Sequence, residues 1–192
     1  MSKDTVTLIN NRDGKSYEFP ILDATVGPSV IDISTLYKET NMFTYDEGYT
    51  STASCRSDIT YIDGEAGKLM YRGYDIAYLA TQKSFLDTAY LLINKELPNK
   101  DELDNFALEM KKRSFVHEGI KKLFDSFPDS AHPMAILSAG VSALSTFYFD
   151  HLDIKDEKEY SEMANRIVAK IPTLAAFSYR YANGLPIIYP DI

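Results

Sequence analysis

At Tyr74 the sequence changes its period. Before it, short apolar stretches alternate with turn residues. After it, apolar side chains recur every three or four positions, and glycine and proline act as punctuation. The first pattern suits hairpins. The second suits helices packed by one face. The chain is therefore expected to be mainly α, with a β-rich region and lead-in over residues 1–73 and a helical part over residues 74–192.

Within the first region, residues 5–9 and 16–20 read as strands around Asn10–Gly14, and Asp13-Gly14 is a strong turn signal. A short extended piece is expected at 30–33. A second hairpin is expected between 58–62 and 68–71, where Gly64 and Gly67 can supply positive φ values. Helices are expected at 76–80 and at 85–95, the latter capped by Ser84. A third, at 100–113, is capped by Asn99, with acidic residues in its first turn and basic ones in its last. A helix at 117–127 is stopped by Pro128. The next, at 132–149, takes Pro133 into its first turn, where a missing N–H costs nothing. It is rich in small residues, which fits close packing inside one subunit or across a subunit boundary. The last helix spans 156–181, Pro172 is expected to kink or break it, and Gly184 ends it.

A chain of 192 residues is one large domain or two small ones, and 45% hydrophobic with 25% charged residues is globular composition. A net charge of −8 argues against nonspecific nucleic-acid binding, which needs a basic face. One cysteine, Cys55, forms no internal disulfide, which fits a reducing, cytoplasmic compartment. No apolar run reaches bilayer-spanning length, and the first residues show no signal-peptide pattern.

Ionisable groups are sparse as sites. Lys111-Lys112-Arg113, followed by Ser114, reads most simply as a solvated helix end complementing the dipole, or else as an anion site. Arg166 and Lys170 are four apart and share a helical face. His132 before Pro133 suits a cap or a buried hydrogen-bonding histidine rather than a catalyst. His117-Glu118 lacks the second histidine of a zinc motif, and His151 near Asp150 and Asp153 fits a mixed-charge loop. Cys55 has no nearby histidine to activate it, and the Thr50–Ser54 run is too poor in glycine for a phosphate cradle.

Several ordered stretches carry a family resemblance: VIDISTLYKE, FTYDEGYTSTASCRSDITYIDGEAGKLMYRGYDI, LLINKELP, HPMAILSAGVSALSTFY and IVAKIPTLAAFSYRYANGLPIIYP. In order and spacing the chain resembles the first half of citrate synthases, and its β region resembles that of their bacterial, hexamer-forming, NADH-regulated branch. The resemblance implies an incomplete helical large domain of that fold. It implies an acyltransferase of the citric acid cycle that condenses acetyl-CoA with oxaloacetate and water to give citrate and CoA. That chemistry uses a carboxylate base, two histidines and carboxylate-binding arginines. In the family these groups lie in the second half, and no position here matches them. No catalytic residue and no metal site are therefore assigned, and the chain alone is expected to be an inert fragment.

The resemblance further implies a homo-oligomer, a dimer or trimer of dimers, with no cofactor and with NADH as an allosteric inhibitor. The matching nucleotide-contact positions are Lys112, Arg113, Ser114, Tyr148, Arg166 and Lys170. Tyr148, Arg166 and Lys170 are intact. Lys112-Arg113-Ser114 replaces an Arg-His-Thr stretch, which keeps positive charge but alters its geometry. Two alternatives stay open: a 2-methylcitrate synthase portion acting with propionyl-CoA, and a non-catalytic module that binds a nucleotide or assists assembly.

Overall fold

The computed structural model describes residues 4–148, 153 and 155–191 and divides into two compact units, Met1–Gln82 and Lys83–Ile192. In the first unit, strands β1 (Thr5–Asn10) and β2 (Lys15–Leu22) form the expected hairpin, with Thr5 opposite Pro20 and Asn10 opposite Lys15. The turn closes because Gly14 N–H donates to Asn10 O at 2.8 Å while Asn10 Oδ1 accepts from Arg12 N–H at 3.0 Å. Gly14 takes a φ of +70°, which disfavours any residue with a Cβ. Strand β3 (Val30–Ile31) adds to the free edge of β2. Phe19, paired with Val6, is buried at the centre of this sheet.

A short helix, α1 (Leu36–Thr40), follows and was not legible in the sequence pattern. Then β4 (Thr60–Asp63) and β5 (Lys68–Tyr71) form the second expected hairpin. Strand β6 (Tyr74–Asp75) extends it to three strands and leads directly into α2 (Ile76–Gln82). The β5–β6 connection is two residues, Arg72 and Gly73, both at positive φ (50° and 87°). That combination matches the right-handed twist of the strands it joins.

The second unit is helical: α3 (Phe85–Asn94), α4 (Lys100–Arg113), α5 (Gly119–Phe124), α6 (Pro133–Ala143), α7 (Ser145–Tyr148) and α8 (Glu157–Ala182). Ser84 with Asp87, and Asn99 with Glu102, make reciprocal capping boxes on α3 and α4. Ile120, Phe124, Ile136, Leu144, Leu174 and Phe177 form one buried cluster joining α5, α6 and α8. Phe106, Met110 and Ala169 form another between α4 and α8. Helix α8 contributes to both. Gly140 of α6 faces inward, where a Cβ would lie 3.2 Å from the Phe124 ring, so this small residue serves packing within the chain.

Three helix expectations need correction. The helix read over 117–127 is only α5, because His117 Nδ1 accepts from Gly119 N–H (2.9 Å) at one end. At the other end Ser126 and Phe127 close tighter turns onto Leu123 and Phe124 (both 3.1 Å). The helix read over 132–149 divides at Leu144, where Ser145 and Thr146 hydroxyls bond back to the Ser142 and Ala143 carbonyls (both 2.8 Å). Residue 149 lies outside the described residues. Pro172 does not break α8: buried Ala169, Lys170, Thr173, Leu174 and Phe177 flank it and hold the helix against its neighbours. Gly184, at φ +64°, ends the helical path as expected, and Leu185 N–H returns to Arg180 O at 2.8 Å.

Between α1 and β4 the loop is held by one carboxylate. Asp46 accepts from Thr50 N–H (3.1 Å), the Thr50 hydroxyl (2.8 Å) and Ser51 N–H (2.9 Å). The Thr52 hydroxyl, with Ser51 N–H and Thr50, lowers the carboxyl pKa from 3.8 to about 2. A depressed carboxylate contributes order that is complete above 3.8 and is lost as pH falls through about 2. A carbon-detected NMR titration should place the Asp46 midpoint near 2; a midpoint at or above 3.8 contradicts the loop geometry.

Candidate functional site

Helix α4 places Glu109, Lys112 and Arg113 at three- and four-residue steps on its last turns. Helix α8 places Glu162, Arg166 and Lys170 at four-residue steps. With Tyr148 of α7, these seven side chains line one cavity of about 370 Å³. Five of the six sequence-named residues meet there: Lys112, Arg113, Tyr148, Arg166 and Lys170. Ser114 does not line it. Its hydroxyl donates to Lys111 O at 2.7 Å, and its carbonyl accepts from the Thr173 hydroxyl at 2.8 Å.

Sequence reading missed the two acidic members. Glu109 bonds Arg113 Nη1 at 3.0 Å and Lys112 Nζ at 3.3 Å. Glu162 bridges two guanidinium groups, Arg113 Nη2 at 3.0 Å and Arg166 Nε at 3.1 Å. The i, i+4 pairs Glu109–Arg113 and Glu162–Arg166 were visible signals. The bridge from Glu162 to Arg113 crosses between helices and was not.

Lys170 is the deepest cation, only 5% exposed. Its ammonium donates to Arg113 O at 2.8 Å and to Phe115 O, and sits 4.4 Å from the centre of the Tyr148 ring. Burial lowers its pKa from the ordinary lysine value, and the Arg166 and Arg113 charges add to that. Burial raises the Tyr148 phenol, opposed by a backbone hydrogen bond from His117 and by Arg166. In this arrangement Lys170 anchors the floor, while Lys112, Arg113 and Arg166 carry the positive charge of the walls. The lining cations outnumber the carboxylates, so the cavity suits an anion.

The other singled-out residues fall elsewhere. His132 Nδ1 accepts from Met134 N–H at 3.2 Å, the cap role expected of it. His117 stacks on Phe147 with ring centres 4.5 Å apart. Cys55 is exposed. The loop reading around His151 and Asp150 lies outside the described residues. No described helix is long and apolar enough to cross a membrane.

The family model described as "Citrate synthase, C-terminal domain" matches residues 48–192. The chain belongs to the citrate synthase family. It is 52% identical over 189 residues to a citrate synthase of Helicobacter pylori (strain J99 / ATCC 700824), covering 98% of this chain and 44% of that protein. The structure is similar to crystal structures of two citrate synthases. That from Thermotoga maritima MSB8 has a TM-score of 0.66 and 29% identity, with 77% of this chain and 38% of that one covered. That from Pyrobaculum aerophilum has a TM-score of 0.65 and 27% identity, with 89% and 40% covered. The mainly α, citrate-synthase-like fold expected from the sequence is the fold observed. The chain spans less than half the length of these relatives.

Proposed function

We propose that this chain is the scaffold portion of a citrate synthase, an acyltransferase condensing acetyl-CoA with oxaloacetate and water to give citrate and CoA. The observation that carries the reading is the 52% identity to the Helicobacter pylori citrate synthase over 98% of the chain. The family's catalytic groups match no position in these residues, so the chain serves to fold, pack and present surfaces. Homo-oligomers, dimers or trimers of dimers, in the cytoplasm fit this role. Phe43, Tyr45, Phe85, Met134 and Ile188 are exposed apolar side chains of the kind that subunit contacts cover. In a CoA-release assay with acetyl-CoA and oxaloacetate, the 192-residue chain should show no turnover. A chimera in which it replaces the matching residues of the Helicobacter pylori enzyme should form citrate. Turnover by the chain alone, or a folded chimera without activity, contradicts the reading.

The α4–α8 cavity supports a second function, allosteric binding of NADH, as in the NADH-regulated branch. Its basic walls suit the nucleotide's phosphates, and no hydride chemistry is involved. Lys112, Arg113 and Arg166 act as the phosphate-facing groups, Tyr148 offers a ring, Lys170 fixes the floor, and Ser114 supports the turn from behind. Arg166→Ala should weaken NADH binding about tenfold or more, through loss of charge-assisted hydrogen bonds. Fluorescence titration checks this, and unchanged affinity counts against the site.

A further inference from the structure

The Glu162 carboxylate lines the cavity and uses both its oxygens, one on each of two guanidinium groups that belong to different helices. A phosphoryl group offers paired oxygens to guanidinium forks in the same way, and it competes for the same donors. The Glu162 side chain is 40% exposed, so it is able to swing out to water without leaving a charge buried. Glu109 is placed differently. It holds Arg113 and Lys112 on its own helix and makes no bridge to Arg166.

Resting on the reading of this cavity as an anion site, we propose that Glu162 is a built-in competitor of the ligand. Its carboxylate fills the phosphoryl position between Arg113 and Arg166 in the unliganded protein and must be displaced for a phosphate-bearing ligand to bind. The competition sets the threshold concentration for the regulator. The same carboxylate holds the two arginines in place beside each other. Affinity is then a difference between two anions, and a neutral side chain at this position removes one of them.

The test is isothermal titration of the 192-residue chain and of Glu162→Gln, each with NADH and with inorganic pyrophosphate. Arg166→Ala serves as the site control. Removal of two half-exposed ion pairs corresponds to about a five- to tenfold gain in affinity. Glu162→Gln should therefore bind more tightly than the original chain by about that factor. A gain with both ligands assigns the recognised chemistry to phosphate itself, and a gain with NADH alone assigns it to the nucleotide; either supports the competitor role. Glu162→Asp, too short to span both guanidinium groups, should shift affinity in the same direction and covers the case in which Glu162→Gln does not fold. Arg166-dependent binding that is unchanged or weakened in these variants overturns the competitor role and leaves the nucleotide reading standing. No binding to either the original chain or the variants overturns both.

Discussion

The helical unit depends on how α8 closes the end of α4. A helix ends with carbonyls that lack partners within the helix. Here three successive carbonyls, of Arg113, Ser114 and Phe115, accept from two side chains of α8, Lys170 and Thr173. A lysine is suited to this task because one ammonium has three donors, and at this site two reach carbonyls while the charge lies over the Tyr148 ring. The positive charge also meets the negative end of the α4 dipole. Burial disfavours that charge and lowers the lysine pKa, and the carbonyls and ring offset the cost.

The cavity follows from this junction. Once Arg113 is fixed, its side chain lies within reach of Glu162, and the Glu162–Arg166 pair comes into register beside it. Tyr148, carried by the short α7, completes the wall. The apolar clusters on either side, Phe106–Met110–Ala169 and the Phe124–Leu174–Phe177 group, fix the position of α8. Polar closure and apolar packing thus act on the same helix, and the geometry of the basic cavity is their by-product rather than a loop held separately.

Much of this was legible in the chain itself. The first hairpin followed from Asp13-Gly14, the second from the loop holding Gly64 and Gly67, and the bounds of α4 from Asn99, Glu102 and the basic last turn. The named cations came together because Arg166 and Lys170 share a face. What was not legible depends on contacts between segments distant in sequence. No local pattern says that Lys170 turns toward carbonyls of residues 113 and 115, or that Glu162 reaches Arg113 on another helix. Small hydroxyl effects also escaped. Ser145 and Thr146 divide a helix that periodicity alone extends, and buried neighbours carry α8 through Pro172.

The measurement that bears most directly on the α4–α8 junction is urea unfolding of Lys170→Met. Methionine keeps an unbranched apolar stem in the buried position but cannot donate to the Arg113 and Phe115 carbonyls. Unsatisfied buried carbonyls should cost roughly 1–3 kcal/mol and lower the unfolding midpoint of the helical unit. A variant that unfolds at the same or a higher urea concentration than the original chain would show that the junction does not hold the unit together.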